Sequence, residues 1–329
     1  MILVTGGTGN LGVELTSRLA GGGSRVRVLT RDRERAQQRL GSAAEIFEGD
    51  VQNPGSLEAA VNGVDAVASA MTGFGPGGRG PRAVDYEGNL KLIHAAEAAG
   101  ARRFVLVSMH GAAGNHPMEL LRMKDRAEKV LQASQLDWTI VRPTVFMELW
   151  TGIVGDPIVK TGKTTVFGRG ENPINFVSAR DVAGLVELAL LQHRLARQVL
   201  EIGGPQNLTF NDLVRQIELA TGRRARVRHV PVPVMRLSAL VMRPFKSDIA
   251  GMIQAGITLD TIDMTFDVVD LRRRFPELGV TYLADVLHSQ FSRTPNGSDA
   301  ALQTATKDGT PQGGDSTGGP TLKRRHVRS

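Results

Sequence analysis

Residues 119–131, ELLRMKDRAEKVL, carry one lysine whose placement bears on whether this chain does chemistry. Wound at about 100° per residue, Leu120, Met123, Ala127, Val130 and Leu131 form an apolar stripe with Leu121 at its margin. Arg122, Asp125, Arg126 and Lys129 fall on the opposite side. Lys124 lands between Leu120 and Leu121, at the edge of the stripe. Such a lysine either lays its stem over apolar surface with its head in water, paired with Glu128, or aims a cation into a site. A lysine partly desolvated near other cations has a lowered pKa, which suits it to proton transfer.

A second group of residues implies a ligand. VTGGTGNLG, residues 4–12, satisfies G-x-G-x-x-G through Gly7, Gly9 and Gly12, and G-x-x-G-x-x-G through Gly6, Gly9 and Gly12. A pyrophosphate needs a tight turn, close backbone N–H groups and a helix N-terminus, and bulky side chains would obstruct each. The motif follows an apolar run and opens a helical one, the context that gives it meaning. The next apolar run, RVRVLTRD, ends about 20 residues on, where an acidic residue would hold an adenosine ribose. Thr30 and Arg31 stand there instead, with Arg33 near. A guanidinium can grip a 2′-phosphate that a carboxylate would repel, so NADP(H) is expected ahead of NAD(H). Asp50, in EGDVQN, is placed to meet the adenine amino group, or else to cap the following turn.

These residues need a scaffold, and the chain has the periodicities of one. MILVTG, RVRVLT, AEIFEG, VDAVASA, RFVLVS and WTIVRP are short β-branched apolar runs. Helical stretches such as LGVELTSRLA and NLKLIHAAEAAG separate them. Near-continuous apolar strands alternating with helices predict a parallel sheet covered on both faces. Right-handed crossovers make it a doubly wound α/β (Rossmann) fold. After residue 150 the pattern loosens: TTVFG, INFVS and QVLEIGG read as strands, ARDVAGLVELALLQ and FNDLVRQIELATG as helices. The expected organisation is a core over residues 1–155 and a small C-terminal α/β lobe over 156–290 that partly completes it. A tail over 291–329, rich in Gly, Ser, Thr and Pro, reads as disordered.

Composition narrows the classes. At 329 residues, 41% hydrophobic and 22% charged, the chain is ordinary for a globular protein. It has no cysteine, which excludes disulfides, thiol catalysis and cysteine-bound metal. No apolar run reaches membrane-spanning length and no charged leader precedes one, so a cytoplasmic protein with no membrane partner is expected. Of the net charge of +7, the tail holds +3, from six Lys/Arg against three Asp. The rest reads as scattered and free of interleaved aromatics, which argues against nucleic acid. No His, Asp and Glu arrangement has metal-ligand spacing, and no G-x-S-x-G elbow is present.

The ordered motifs together resemble the atypical short-chain dehydrogenase/reductases, in particular the NmrA-like and isoflavone-reductase-like branch, over about residues 1–290. TGGTGNLG matches the glycine turn of that family. VDYEGNLKLIHAAEAAGARRFVLVS, residues 84–108, is similar to its fourth helix and fifth strand. VRPTVFMELW is similar to its RP-x-x-F-M-E-N segment, with Leu149 where asparagine is common. FVSARDVA and LEIGGPQNLTFNDL resemble its later segments. The resemblance implies that Gly6, Gly9, Asn10, Leu11 and Gly12 hold the pyrophosphate and Arg31 the 2′-phosphate. It sets Asp50 and Val51 beside adenine, Ala70 and Met71 at the adenosine-side ribose, and Pro143 with Thr144 at the nicotinamide. Lys124 matches the lysine that grips the nicotinamide ribose. The tyrosine that stands four residues earlier in the wider superfamily is replaced by Leu120. In this branch the lysine itself is proposed to deliver the proton, and Ser108 ends the strand that often keeps a catalytic hydroxyl.

His110, in the loop after the fifth apolar run, is a further acid–base candidate, and His116 a weaker one. TGFGPGGRGPRA, residues 72–83, is either a lid with glycine hinges or a surface loop. FMELW and VMRLSALVMRPF either wall an apolar pocket or, more simply, pack in the core. The leading expectation is an NADP(H)-dependent oxidoreductase acting on a small carbonyl, enone or quinone. The alternative is a non-catalytic NADP(H) sensor or assembly protein with a protein partner. A homodimer fits either.

Overall fold

The structure, a computed structural model, describes residues 1–75, 78–242 and 247–291. The expected tail, residues 76–77 of the glycine-rich loop and residues 243–245 of the methionine-rich segment lie outside the described residues. Residues Met1–Phe291 form one compact unit.

The first half alternates as its periodicity predicts: β1 (Ile2–Thr5), α1 (Asn10–Gly21), β2 (Val26–Thr30), α2 (Arg33–Leu40), β3 (Glu45–Glu48), α3 (Pro54–Val61) and β4 (Ala66–Ser69). A π-helical segment, Arg82–Gly88, then leads into α4 (Asn89–Ala98), β5 (Arg103–Val107), α5 (Glu119–Ala133) and β6 (Asp137–Pro143). Beyond it come β7 (Val145–Phe146), α6 (Met147–Thr161), β8 (Lys163–Phe167), β9 (Ile174–Val177), α7 (Ala179–Leu191), β10 (Gln198–Ile202), β11 (Asn207–Leu208), α8 (Phe210–Thr221) and β12 (Arg226–Val230). The helices α9 (Val232–Met242), α10 (Ser247–Thr261), α11 (Val269–Arg274) and α12 (Leu283–Phe291) close the described chain.

Seven strands form one parallel sheet in the order β3-β2-β1-β4-β5-β6-β10. β1, β4 and β5 are buried along their whole length, which is why they read as unbroken apolar runs. Leu11, Leu15 and Leu19, spaced one turn apart on α1, pack with α7 on one face of the sheet. Leu57 and Ala60 of α3, Leu92 and Ile93 of α4, and Ala127 and Leu131 of α5 cover the other. β10 returns from the second half of the chain to extend the sheet beyond β6. β8 and β9 stay outside it: β9 pairs with β7 and β11, and β8 with β12. A separate apolar cluster, including Trp150, Phe176, Phe210 and Leu213, fills the second half.

One expectation fails. VMRLSALVMRPF was expected to pack in the core or wall a pocket, yet α9 leaves Val234, Leu237, Leu240 and Val241 exposed and buries Met235. Among the described residues no helix is long and apolar enough to cross a membrane.

Candidate functional site

Strand order reverses between β1 and β4, so the chains leaving these two strands diverge and open a crevice at the sheet's C-terminal edge. Thr5 and Ser69 lie in register, and the Ala70 N–H donates to the Thr5 carbonyl at 3.0 Å. The glycine turn sits at that seam. Gly6 has φ +76°, and a Cβ there would lie 2.5 Å from the Ala70 carbonyl oxygen. A Cβ on Gly12 would lie 2.2 Å from the Gly6 carbonyl oxygen, so these two glycines are required by the packing of β1, α1 and β4. Gly9 differs: its Cβ would meet only the Gly6 carbonyl oxygen, at 3.4 Å, with open space beyond. It is the N-cap of α1, which has no side-chain cap and no acidic residue in its first turn. The free N–H groups and the helix dipole are therefore open to an anion. These features fit a dinucleotide pyrophosphate.

A cavity of about 260 Å³ runs from this turn along the strand ends. Gly9, Asn10, Leu11 and Gly12 line it after β1, Ala70 and Met71 after β4, Ser108 after β5, and Pro143 with Thr144 at β6. Its far walls are apolar: Phe74, Met118, Leu120, Leu121, Phe146 and Trp150 contribute. Phe74 comes from the 72–83 loop and packs on Met118, Leu120 and Leu121. The FMELW segment thus walls the cavity. Its Glu148 is turned away: Oε1 accepts from the Ser178 hydroxyl at 2.7 Å and from the Ala179 N–H at 2.9 Å, at the start of α7. Burial pushes its carboxyl above the ordinary range against those hydrogen bonds.

Lys124 lies in the cavity wall, 4% exposed. The C-terminal half of α5 packs on the sheet while Leu120 and Leu121 belong to the apolar cluster around the cavity, so the helix delivers the lysine between the two. Its ammonium lies 2.9 Å from Asp85 Oδ1 and donates to the carbonyls of Val107 at 2.9 Å and Met71 at 3.2 Å. Two carbonyls thus accept hydrogen bonds from the ammonium and one carboxylate balances its charge. Asp85 is fully buried in the π-helical segment. Its Oδ2 accepts from the Gly73 N–H at 2.8 Å and the Thr72 hydroxyl at 3.4 Å. Its Oδ1 meets the ammonium as an ion pair, off the hydrogen-bonding direction. The lysine does not reach water, and its partner is not Glu128. That carboxylate, 2% exposed, is taken by the Ser108 hydroxyl and by both Nε and Nη2 of Arg142, at 3.0 and 2.5 Å.

The other candidates separate. Ser108 lines the cavity but its hydroxyl donates to Glu128. His110 is not part of the lining; its backbone N–H donates to the Pro143 carbonyl, its Nδ1 lies 3.4 Å from Glu201, and its ring edge meets Phe266. His116 accepts from the Met118 N–H, and burial holds its pKa below the ordinary value. The two tyrosines of the sequence, neither of them four residues before Lys124, do not supply the missing phenol from there: Tyr86 packs under Arg126, and Tyr282 is about half exposed. Arg31 is exposed at the end of β2. Asp50 accepts from the Gln52 N–H at 2.9 Å and pairs with Arg79 of the 72–83 loop at 2.5 Å. Burial opposes its ionisation, but the Gln52 and Arg79 hydrogen bonds and the charges of Arg79 and Arg31 outweigh that and hold its carboxyl below the usual range. Val51 is half-buried and, like Gly6, Arg31 and Asp50, stands outside the cavity lining.

Three residues escaped the sequence reading. Asp85 carries no local signal, because its partner is on another helix. Arg79 is one polar residue in a glycine-rich loop. Arg39 donates to the Thr8 carbonyl at 2.8 Å, which sets an exposed guanidinium against the glycine turn.

Residues 6–193 match a family model described as NAD(P)H-binding. The chain is 31% identical to the photosystem II assembly factor Ycf39 of a Synechocystis strain, over 74% of this chain and 75% of that protein. It is 30% identical to the NAD(P)H azoreductase of Xenophilus azovorans, over 69% of this chain and 76% of that enzyme. The fold is similar to that of an Escherichia coli NADPH-dependent quinone oxidoreductase solved with NADPH. The TM-score is 0.70 at 20% identity, over 88% of this chain and 100% of the other. The chain belongs to the NAD(P)H-binding family, within the NmrA-like group of atypical short-chain dehydrogenase/reductases.

Proposed function

We propose that this protein is a reductase that spends NADPH on a small carbonyl, enone or quinone. The observation that carries the reading is a buried lysine, Lys124, paired with Asp85 and set in the wall of a largely apolar cavity that begins at the glycine turn. When bound, the reduced nicotinamide supplies the hydride. Gly9, Asn10, Leu11 and Gly12 receive the pyrophosphate on the α1 N-terminus. Arg31, with Arg39 beside the turn, takes the 2′-phosphate and favours NADP(H) over NAD(H). Asp50 and Val51 border the adenine, Ala70 and Met71 the adjoining ribose, and Pro143 with Thr144 the nicotinamide. The Met71 carbonyl is the longest of the ammonium's contacts, and it is the one a ribose hydroxyl would replace. Asp85 fixes the Lys124 ammonium in a dry wall, where a positive group acts strongly on an oxygen that gains negative charge. Ser108 is held by Glu128 and His110 stands outside the lining, so Lys124 is the group that hands a proton to that oxygen. The apolar walls suit a flat, weakly polar substrate and exclude water. The relative described as an azoreductase supports this reading.

The test is NADPH oxidation, followed optically across quinones, enones and aldehydes, with Lys124→Ala in parallel. Turnover by the native protein, lost in the variant while cofactor still binds, is expected. A second reading draws on one specific observation: Leu120 stands where the proton-relaying tyrosine would be, and the Synechocystis relative is described as an assembly factor. A non-catalytic protein that reports the NADP(H) redox state to a protein partner would have to bind NADP⁺ and NADPH with different affinities. Tight binding without turnover on any acceptor, together with such a difference, would favour it.

A further inference from the structure

We propose that the surface carried by β12 and α9 docks on an anionic lipid membrane. A helix at a protein surface ordinarily buries its apolar stripe, and α9 does the reverse. Wound at about 100° per residue, Val234, Leu237, Leu240 and Val241 share one side, opposite the buried Met235. They are 51%, 65%, 70% and 57% exposed. Leu219, near the end of α8, is also exposed, at 79%. Apolar side chains scattered singly over a surface need no explanation, but several on one helix face do.

Charge identifies the occupant. Between Glu218 and Asp248 the chain has no carboxylate, while Arg223, Arg224, Arg226, Arg228 and Arg236 are all exposed. Exposed Lys163 of β8 stands in register beside Arg226. Among the described residues none of these five arginines makes an ion pair. Charge scattered along the sequence gives no expectation of a membrane partner, yet part of it is concentrated between residues 223 and 236, in the chain that leads into and carries the exposed apolar face of α9. That combination fits the boundary of an anionic bilayer, where alkyl side chains enter between headgroups and guanidinium groups meet lipid phosphates. A second copy of this chain would set arginines against arginines. The C-terminal tail, with Lys323, Arg324, Arg325 and Arg328, has the same sign. Single-stranded nucleic acid would call for stacking aromatics, and residues 219–242 contain no Phe, Trp or Tyr. No helix among the described residues is long and apolar enough to span a bilayer, so the contact is peripheral.

The inference does not depend on the reductase reading. Its test is co-sedimentation of the full chain with vesicles of phosphatidylcholine alone and of phosphatidylcholine mixed equally with phosphatidylglycerol. Binding is expected only with the mixed vesicles, by a margin of about tenfold or more, and it should weaken as salt is raised. Leu237→Asp with Leu240→Asp, and separately Arg224→Glu with Arg228→Glu, should each lower it about tenfold while melting temperature and NADPH binding hold. A Leu240→Trp variant gives a reading free of disruptive substitutions, and its emission should shift to the blue on the mixed vesicles. Binding that ignores both double variants, an absence of anionic preference, or an unshifted tryptophan would overturn the proposal. So would a dimer of the native chain that Leu237→Asp with Leu240→Asp takes apart, because the face would then belong to a second copy.

Discussion

Removing one charge from the Lys124–Asp85 pair leaves the other buried with nothing to neutralise it. The Lys124 side chain is 6% exposed and that of Asp85 0%. Losing one partner of such a pair costs about 3–5 kcal/mol, whereas replacing both by groups of similar volume is often close to neutral. Asp85→Asn and Lys124→Met are each expected to destabilise by that amount, and the double variant to recover much of it. Denaturant unfolding of the four proteins measures the coupling. If the two losses simply add, the pair is not the unit described. The sequence located Lys124 correctly at the edge of an apolar stripe, because helical spacing is a local property. It named the wrong local partner, because Glu128 is one turn away while Asp85 is brought in by the fold. The same limit hid Arg79 from Asp50 and Arg142 from Glu128.

At the scale of elements, the glycine turn shows how one motif divides its labour. Gly12→Ala would drive a methyl group into the Gly6 carbonyl, 2.2 Å from the ideal Cβ. Overpacking of this kind costs about 1–3 kcal/mol, so a lowered melting temperature is expected even without cofactor. Gly9→Ala has room, its Cβ meeting only the Gly6 carbonyl oxygen at 3.4 Å. It should melt close to the native protein and yet bind NADPH more weakly, since its methyl group occupies the approach to the α1 N-terminus. Calorimetric melting and an NADPH titration separate the two; equal loss of stability in both would contradict the assignment. The motif announces such a site because strand, turn and helix are contiguous in the chain. All six apolar runs expected as strands before residue 150 are strands for the same reason. Less was visible where an element's role depends on its neighbours. TTVFG and INFVS form strands as read, but pair outside the main sheet. α9 has a composition that suggests a core and a position that denies it one.

At the scale of the whole molecule, the chain beyond residue 155 contributes to a second apolar cluster and also completes the core on one face of the sheet. One face of the sheet is covered by α7: Val182, Leu185 and Val186 pack with Leu11, Leu15 and Leu19 of α1. Val177, Leu200 and Ile202 join the same cluster, and β10 pairs with the otherwise open edge of β6. Burying a valine or leucine side chain is worth about 1.5–3 kcal/mol. These six alone, among the residues contributed from beyond residue 155, therefore rival the whole margin of a folded domain, about 5–15 kcal/mol. A fragment ending at residue 155 keeps the entire glycine turn and Lys124, and on motif content alone it would bind cofactor. It is expected instead to bind a hydrophobic dye, to melt without a cooperative transition and to show no affinity for NADPH. A chain ending at Phe291, the limit of the compact unit, should melt and bind like the full protein. Cooperative melting of the shorter fragment would show that the glycine turn stands on a core of its own. Its failure would mean that cofactor binding is a property of both halves, because the strand ends that form the site are held in register only when the later chain covers the sheet.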